Sequence, residues 1–212
     1  TTCCAMPGGG MLLAWSGAEN GWGIIRVNAK GRKLWGSKHS ASDLATDGKR
    51  FFAVDAHGFH AAAGVKVYDA KDARPLNFGN GEPLLLPPEG GDKTTNEMTG
   101  LAYHNGKIYV CYAERDLIGV FDATSGDLET TWEAPAPHRL TPRPDGTLAV
   151  ISEGKVLRVA DGEATPLIQD HLDDPQAAAV DEQGRIYVSN RGDLQNISVF
   201  SADGEYLQSI GK

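Results

Sequence analysis

The chain has 212 residues, with 28 acidic against 20 basic side chains, a formal net charge of −8, 41% of residues apolar and 23% charged. That balance is ordinary for a folded chain and too apolar for general disorder. Its acidic surplus argues against nucleic acid and anionic membranes as partners, because both need Lys and Arg gathered on one surface. The longest apolar runs, such as Met11 to Trp15, fall far short of the roughly 20 residues that cross a bilayer, so no membrane insertion is expected.

Taken in chain order, one phrase returns: a short apolar run, a Gly turn, a second apolar run, a polar stretch, then two more strands around another turn. Residues 3–13 open the series around Gly8, Gly9 and Gly10, and residues 24–28 supply a third strand. Residues 44–54 repeat the opening around Gly48, and residues 65–69 alternate and run into a turn at Asp69. The third copy is residues 100–110 with residues 118–122 and the turn at Ser125-Gly126. The fourth is residues 140–150 with residues 156–160 and Asp161-Gly162, and the fifth is residues 178–188 with residues 197–201 and Asp203-Gly204. The equivalent Val54, Val110, Val150 and Val188 are 56, 40 and 38 residues apart by subtraction, a period of about 40 with one insertion. Period-2 alternation broken by Asp-Gly or Ser-Gly is a hairpin signal, since Gly and Asp tolerate the positive φ of tight turns.

Each unit therefore supplies four short antiparallel strands, over approximate spans 1–39, 40–95, 96–135, 136–173 and 174–212. No helical periodicity of useful length interrupts them. The expected fold class is all-β: a β-propeller of four-stranded antiparallel blades, five of them in this chain, within a single domain over 1–212.

Residues 177–190 followed by residues 196–211 resemble an NHL-type repeat; the third unit is similar and the others are more degenerate. NHL-like propellers commonly have six blades. The alternatives are therefore a rare five-bladed ring or five blades of a larger one, completed by neighbouring sequence or another chain; the resemblance favours the second, and it favours an extracytoplasmic location. Cys3, Cys4, Met6, Val199 and Phe200 are the residues expected beside the gap. Members of the family that are enzymes include lactonases and lyases, which hold a metal with His, Asp, Asn or Glu around the channel.

In a propeller the loops after second strands and before first strands open on one face of the channel. Asn20, Asp55, His57, His60, Glu114, Arg115, Glu153, Asn190 and Arg191 follow second strands, and Asn96, His138 and Gln176 precede first strands. Of these, Asp55, His57, Asn96, Glu114, Arg115, His138, Glu153, Gln176, Asn190 and Arg191 are the candidates for a binding face, although solvation alone also makes such loops polar. The insertion at 78–97 is either a lid or partner-binding arm at the same mouth, or a decoration covering a sheet edge.

No cofactor is expected. If a divalent ion is held, His57 with His138 suits zinc, whereas the oxygens of Asp55, Glu114, Glu153 and Asn190 suit calcium or magnesium. Adjacent Cys3 and Cys4 cannot readily bridge, and Cys111 lies in an apolar run, so no disulfide scaffold is expected and Cys111 reads as a small buried hydrophobe. Neither Ser152, Ser189 nor Cys111 has an assignable base for nucleophilic catalysis. Trp15, Trp22, Trp35 and Trp132 offer stacking surfaces for sugars, with burial between blades the stronger reading for Trp35 and Trp132. The resulting expectation is a non-catalytic binding scaffold for a protein or glycan partner; the alternative is a metal-dependent lactonase- or lyase-like enzyme.

Overall fold

The computed structural model describes residues 2–17, 21–55, 64–85, 88 and 98–211. Blade one comprises β1 (Thr2–Ala5), β2 (Met11–Gly17), β3 (Gly21–Val27) and β4 (Lys33–Ser37). Blade two comprises β5 (Asp43–Thr46), β6 (Arg50–Asp55), β7 (Gly64–Asp69) and the short β8 (Leu84–Leu85). Blade three holds β9 (Met98–His104), β10 (Lys107–Tyr112), β11 (Leu117–Asp122) and β12 (Leu128–Glu133). Blade four holds β13 (Pro137–Pro142), β14 (Leu148–Ser152), β15 (Lys155–Ala160) and β16 (Glu163–Ile168). Blade five holds β17 (Pro175–Val180), β18 (Ile186–Asn190), β19 (Asn196–Phe200) and β20 (Tyr206–Gly211). Each blade is a four-stranded sheet with its strands in chain order, so the expected five-bladed, all-β propeller architecture is what the chain forms. The single 3-10 turn among the described residues is Ala113–Arg115.

The turns explain the repeated Asp, Asn and Gly. At the end of β7, β11 and β19 the N–H groups of Asp69, Asp122 and Ser201 donate to the carbonyls of Arg74, Asp127 and Glu205. The Asp122 carboxylate also takes the N–H of Thr124 and Ser125, a local turn that only a short acceptor side chain can make. Gly10, at φ +87°, lies so close to blade one's third strand that a Cβ there would meet the Val27 carbonyl at 2.2 Å.

Alternation along the strands gives each blade two apolar faces, and the core lies between blades. Leu12, Ala14 and Ile24 of blade one pack with Leu44, Phe51, Ala53 and Tyr68 of blade two. Trp35 stacks on Phe51 (5.8 Å between centroids) and Phe51 on Tyr68 (4.9 Å). On its other face blade two sets Phe52 against Tyr103 of blade three (5.9 Å). In blades four and five, Ala149, Val156 and Ile168 pack with Ile186, Val188 and Phe200. Fully burying a side chain such as Phe51 contributes about 1.5–3 kcal/mol.

A polar clamp repeats beside these contacts. Arg26 Nη1 and Trp35 Nε1 donate to the Ala70 carbonyl (2.7 and 3.1 Å), Arg50 Nη1 to the Ala123 carbonyl (2.8 Å), and Arg143 Nη2 to the Ala202 carbonyl (2.6 Å). Each acceptor directly follows the Asp or Ser that closes a third strand, so one blade grips the turn of the next. Asp43, on the innermost strand of blade two, is nearly buried. Its carboxylate accepts from the Thr2 hydroxyl (3.0 Å), the Leu44 N–H (3.0 Å) and the Leu101 N–H (2.9 Å), joining the first strands of three blades.

The chain groups into two compact units, residues 1–110 with 119–130 and residues 111–118 with 131–212. In the first, Cys4 and Met6 pack towards blade two, and in the second Phe200 packs towards blade four, which corrects the expectation that they border a gap. The difference is one of strand parity: Cys3 points to the opposite face from Cys4 and is exposed. The insertion begins as edge cover, with the Gly79 and Asn80 N–H groups on the Thr124 and Ser125 carbonyls (2.7 and 3.0 Å). Its remainder at 86–87 and 89–97 lies outside the described residues.

Candidate functional site

In the unit that contains blades four and five, the segments entering first strands are tied to the loops leaving second strands. A bulge opens each of these innermost strands: Pro137 pairs with Ser152 and Arg139 with Ile151, and Pro175 pairs with Asn190 and Ala177 with Ser189. His138 and Gln176 are the extra residues. Proline has no N–H to give a ladder, which suits it to the head of a strand, and the unpaired residue after it is turned outward. Both His138 and Gln176 are exposed.

Behind each bulge sits a locked polar side chain. The Ser152 hydroxyl donates to the Pro135 carbonyl. Asn190, buried at 6% exposure, accepts the Asp173 N–H (3.0 Å) and donates to Asn196 Oδ1 (2.9 Å) and Ser198 Oγ (3.0 Å). Three hydrogen bonds of its amide, both N–H donors included, go to the protein, so Asn190 shapes the loop. Ser198 in turn donates to the His171 carbonyl (2.8 Å), and the His171 ring stacks on Tyr206 at 4.0 Å.

The loop after β18 is held from the other side by Asp173 and Asp174. Asp173 Oδ2 accepts the Leu194 N–H (3.0 Å), and Gly192 passes so close that a Cβ would meet the Asp173 carboxylate at 2.3 Å. Asp174 pairs with Arg191 Nε (2.9 Å) and accepts Gln176 Nε2 (2.8 Å). His171, Asp174 and Gln195 all have positive φ, at 59°, 49° and 42°. Such conformations are unfavourable for non-glycine residues and persist where surrounding structure over-determines them.

These elements frame an open depression of about 590 Å³ lined by Gln176, Ser189, Asn190, Arg191, Gln195, Asn196, Ile197, Ile210 and Gly211. The amides of Gln176, Gln195 and Asn196 and the Arg191 guanidinium form its rim, with Asn190 buried behind them, and Ile197 and Ile210 are its apolar part. Three sequence candidates, Gln176, Asn190 and Arg191, meet here. Gln195 and Asn196 were not among them; the signal that points to them is the polar run 189–196 between two apolar strands.

The other candidates fall elsewhere. Glu114 is exposed and Arg115 is half-buried, its guanidinium 5.9 Å from the Tyr112 ring centre. The Asp116 carboxylate that follows takes the Ala136 N–H (2.7 Å), which fastens this loop to the approach to β13. Glu153 is exposed with φ 46°. The backbone of Asp55 closes β6; its side chain, and His57, His60, Asn20 and Asn96, lie outside the described residues. Among the described residues no three His, Cys, Asp or Glu side chains converge as metal ligands, and no helix is long and apolar enough to cross a membrane.

Trp35 is engaged between blades, and Trp132 is half-buried, close enough to Gly162 that a Cβ there would sit 3.1 Å from its ring. Trp22 is exposed, with Nε1 on the Lys38 carbonyl (3.0 Å). Cys111 is fully buried, and desolvation, aided by the nearby Asp43 and Cys3, pushes the Cys4 thiol up to about 12.

No protein-family model and no curated protein matches the chain. Solved structures do. A protein of unknown function from Bacteroides caccae aligns over 100% of this chain and 81% of its own, with TM-score 0.64 and 12% identity. A chain of the mitotic checkpoint complex aligns over 99% of this chain and 66% of its own, with TM-score 0.64 and 13% identity. The computationally designed Ika8 protein aligns over 99% of this chain at TM-score 0.56 and 17% identity; the present chain spans 60% of its length. At these identities the likeness is one of fold.

Proposed function

We propose that the chain is an NHL-like β-propeller that acts as a non-catalytic binding scaffold through its channel-mouth loops, with the depression beside Arg191 as the contact site for a protein or glycan partner. The observation that carries this reading is the division of labour within blade five. Asn190, Asp173 and Asp174 spend their hydrogen bonds on holding the loop, while Gln176, Arg191 and Gln195 are exposed around one concavity. A loop ordered before binding loses less conformational entropy on association than a mobile one. The rim carries paired donors and acceptors, and its one guanidinium is already partnered by Asp174, which favours uncharged hydrogen-bonding groups over anions.

Side-chain amide and backbone NMR shifts are the test, with two probes titrated separately: a blocked, uncharged tripeptide and a neutral oligosaccharide. The expected result is movement of the Gln176, Arg191, Gln195 and Asn196 signals by one of the two, reduced in Gln176→Ala and Arg191→Ala. Turnover of a lactone or lyase substrate that disappears in Glu114→Ala would contradict the reading, as would unmoved signals with both probes.

A further inference from the structure

Charge is not spread evenly along the chain. The first 39 residues carry five Lys and Arg against one Glu, which leaves fifteen basic against twenty-seven acidic side chains for the rest. Blade one is the basic part of an acidic protein. Its bases are continued by blade two, because three turns of these blades place a lysine at the same point. Asn28 Oδ1 accepts the Lys30 N–H (2.9 Å), Asp47 Oδ1 the Lys49 N–H (2.9 Å) and Asp69 Oδ1 the Lys71 N–H (2.8 Å). In turns of the same kind in blades three, four and five that place is held by Thr124, Thr147, Gln183 and Asp203.

The three lysine-bearing turns meet at one end of the first unit. The Ala70 N–H donates to the Lys49 carbonyl (2.9 Å), and Arg26 Nη1 reaches from blade one to the Ala70 carbonyl (2.7 Å). The β1–β2 turn packs among them: a Cβ on Gly9 would lie 3.0 Å from the Ala29 side chain, and one on Gly48 would lie 3.1 Å from Pro7. Lys30, Arg32, Lys49 and Lys71 are exposed on this surface. Among the described residues none of the four has an ion-pair partner. The nearby carboxylates are engaged in their own turns: Asp47 binds Arg50 Nε (2.8 Å), Asp69 lies 3.4 Å from Arg74 Nη2, and Asp72 accepts the Arg74 N–H (3.0 Å). What remains uncompensated is positive charge.

We propose that this end of blades one and two is a docking surface for an acidic peptide, a run of Asp and Glu side chains for which Lys30, Arg32, Lys49 and Lys71 are the counter-charges. The turn bonds fix the backbone at each lysine and leave its side chain free, and a compact ammonium pairs with single carboxylates one at a time. Complementary charge of this kind guides the partner in and fixes its register. A membrane or a nucleic acid duplex would press a continuous anionic surface on the unit, where blade three presents Asp122 and Asp127 at the end of its own third strand. A short acidic segment can keep to the lysines. The surface shares no residue with the depression, so either can fail without the other.

Backbone NMR shifts of the full chain, titrated with a blocked peptide of alternating Glu and Gly and with its Gln counterpart, test the proposal. The expected result is movement of the Lys30, Arg32, Lys49 and Lys71 signals by the acidic peptide alone, with binding that weakens as salt rises. Lys30→Gln, Lys49→Gln and Lys71→Gln together keep the turn bonds, which use backbone N–H groups, and should weaken binding about tenfold. Lys155→Gln, at an exposed lysine of blade four, should leave it unchanged. Equal binding of the acidic and neutral peptides, or an affinity that the triple variant retains, overturns the proposal. So does tighter binding of phosphatidylserine vesicles or of a sulfated oligosaccharide than of the acidic peptide, since that assigns the surface to a different class of anion.

Discussion

Asn190 and Arg191 are neighbours in sequence and opposites in role. Asn190 is buried and makes three hydrogen bonds, with Asp173, Asn196 and Ser198. Asn190→Ala strands at least one buried donor or acceptor, so it should lower stability by about 1–3 kcal/mol in urea unfolding. Arg191→Ala removes an exposed ion pair with Asp174 and should change stability by less than about 0.5 kcal/mol. Sequence placed both residues at the same loop but could not separate them, because both are polar and only the paths of Asp173 and Ser198 decide which one turns inward.

The turn carboxylates make a second prediction at this scale. N–H groups of Ser125 and Thr124 hold the Asp122 carboxyl below its ordinary value of 3.8. Burial acts to raise Asp47, but the Arg50 and Lys49 N–H groups and the Arg50 guanidinium outweigh it and lower it too. Folded values below unfolded ones mean stabilisation that is complete above the unfolded value and lost as pH falls through the folded one. The urea midpoint should therefore hold from neutral pH down to about pH 5 and fall below about pH 4. Asp122→Asn, which can still accept both N–H groups, should make that acid fall shallower.

Among the elements, strands were the most legible feature. Alternation and Asp-Gly or Ser-Gly turns mark β18 to β20 directly, and blade one emerges once Leu13 is set over Val188. The bulges were not legible. Leu34, Leu167 and Leu207 are each an extra residue in a fourth strand, at the register shifts in β4, β16 and β20. Nothing in a period-2 pattern marks one inserted residue, and a single shift reverses every later side chain. Cys4 and Cys3 show the cost of that ambiguity, since adjacent residues face opposite ways. The Arg-to-carbonyl clamp was also hidden, because its acceptor is backbone and its donor comes from a different place in each blade. Arg143→Ala is expected to destabilise by about 1–3 kcal/mol by leaving the Ala202 carbonyl without this partner. Arg185→Ala, which removes an exposed pair with Asp181, should be near neutral under the same urea titration.

At the scale of the whole molecule, an identity of 12% with a propeller of TM-score 0.64 shows how little of the architecture depends on particular residues. Alternating apolar strands and tight turns suffice for blades, and function must come from what the loops hold out. In this chain the loop proposed for that role is Arg191–Asn196, fastened by Asp173, Asp174 and Asn190. Gln176 and Arg191 are legible in the sequence as loop residues, whereas the convergence of Gln195 and Asn196 with them is not, since it depends on the β17 bulge and on Gly192 passing against Asp173. The central claim is that this loop is rigid before any partner arrives, and NMR relaxation of the ligand-free chain measures that most directly. Backbone order parameters across residues 191–196 should be about 0.85, as in the adjacent strands, and should drop in Asn190→Ala but not in Arg191→Ala. Values below about 0.6 in the unaltered chain would contradict the claim.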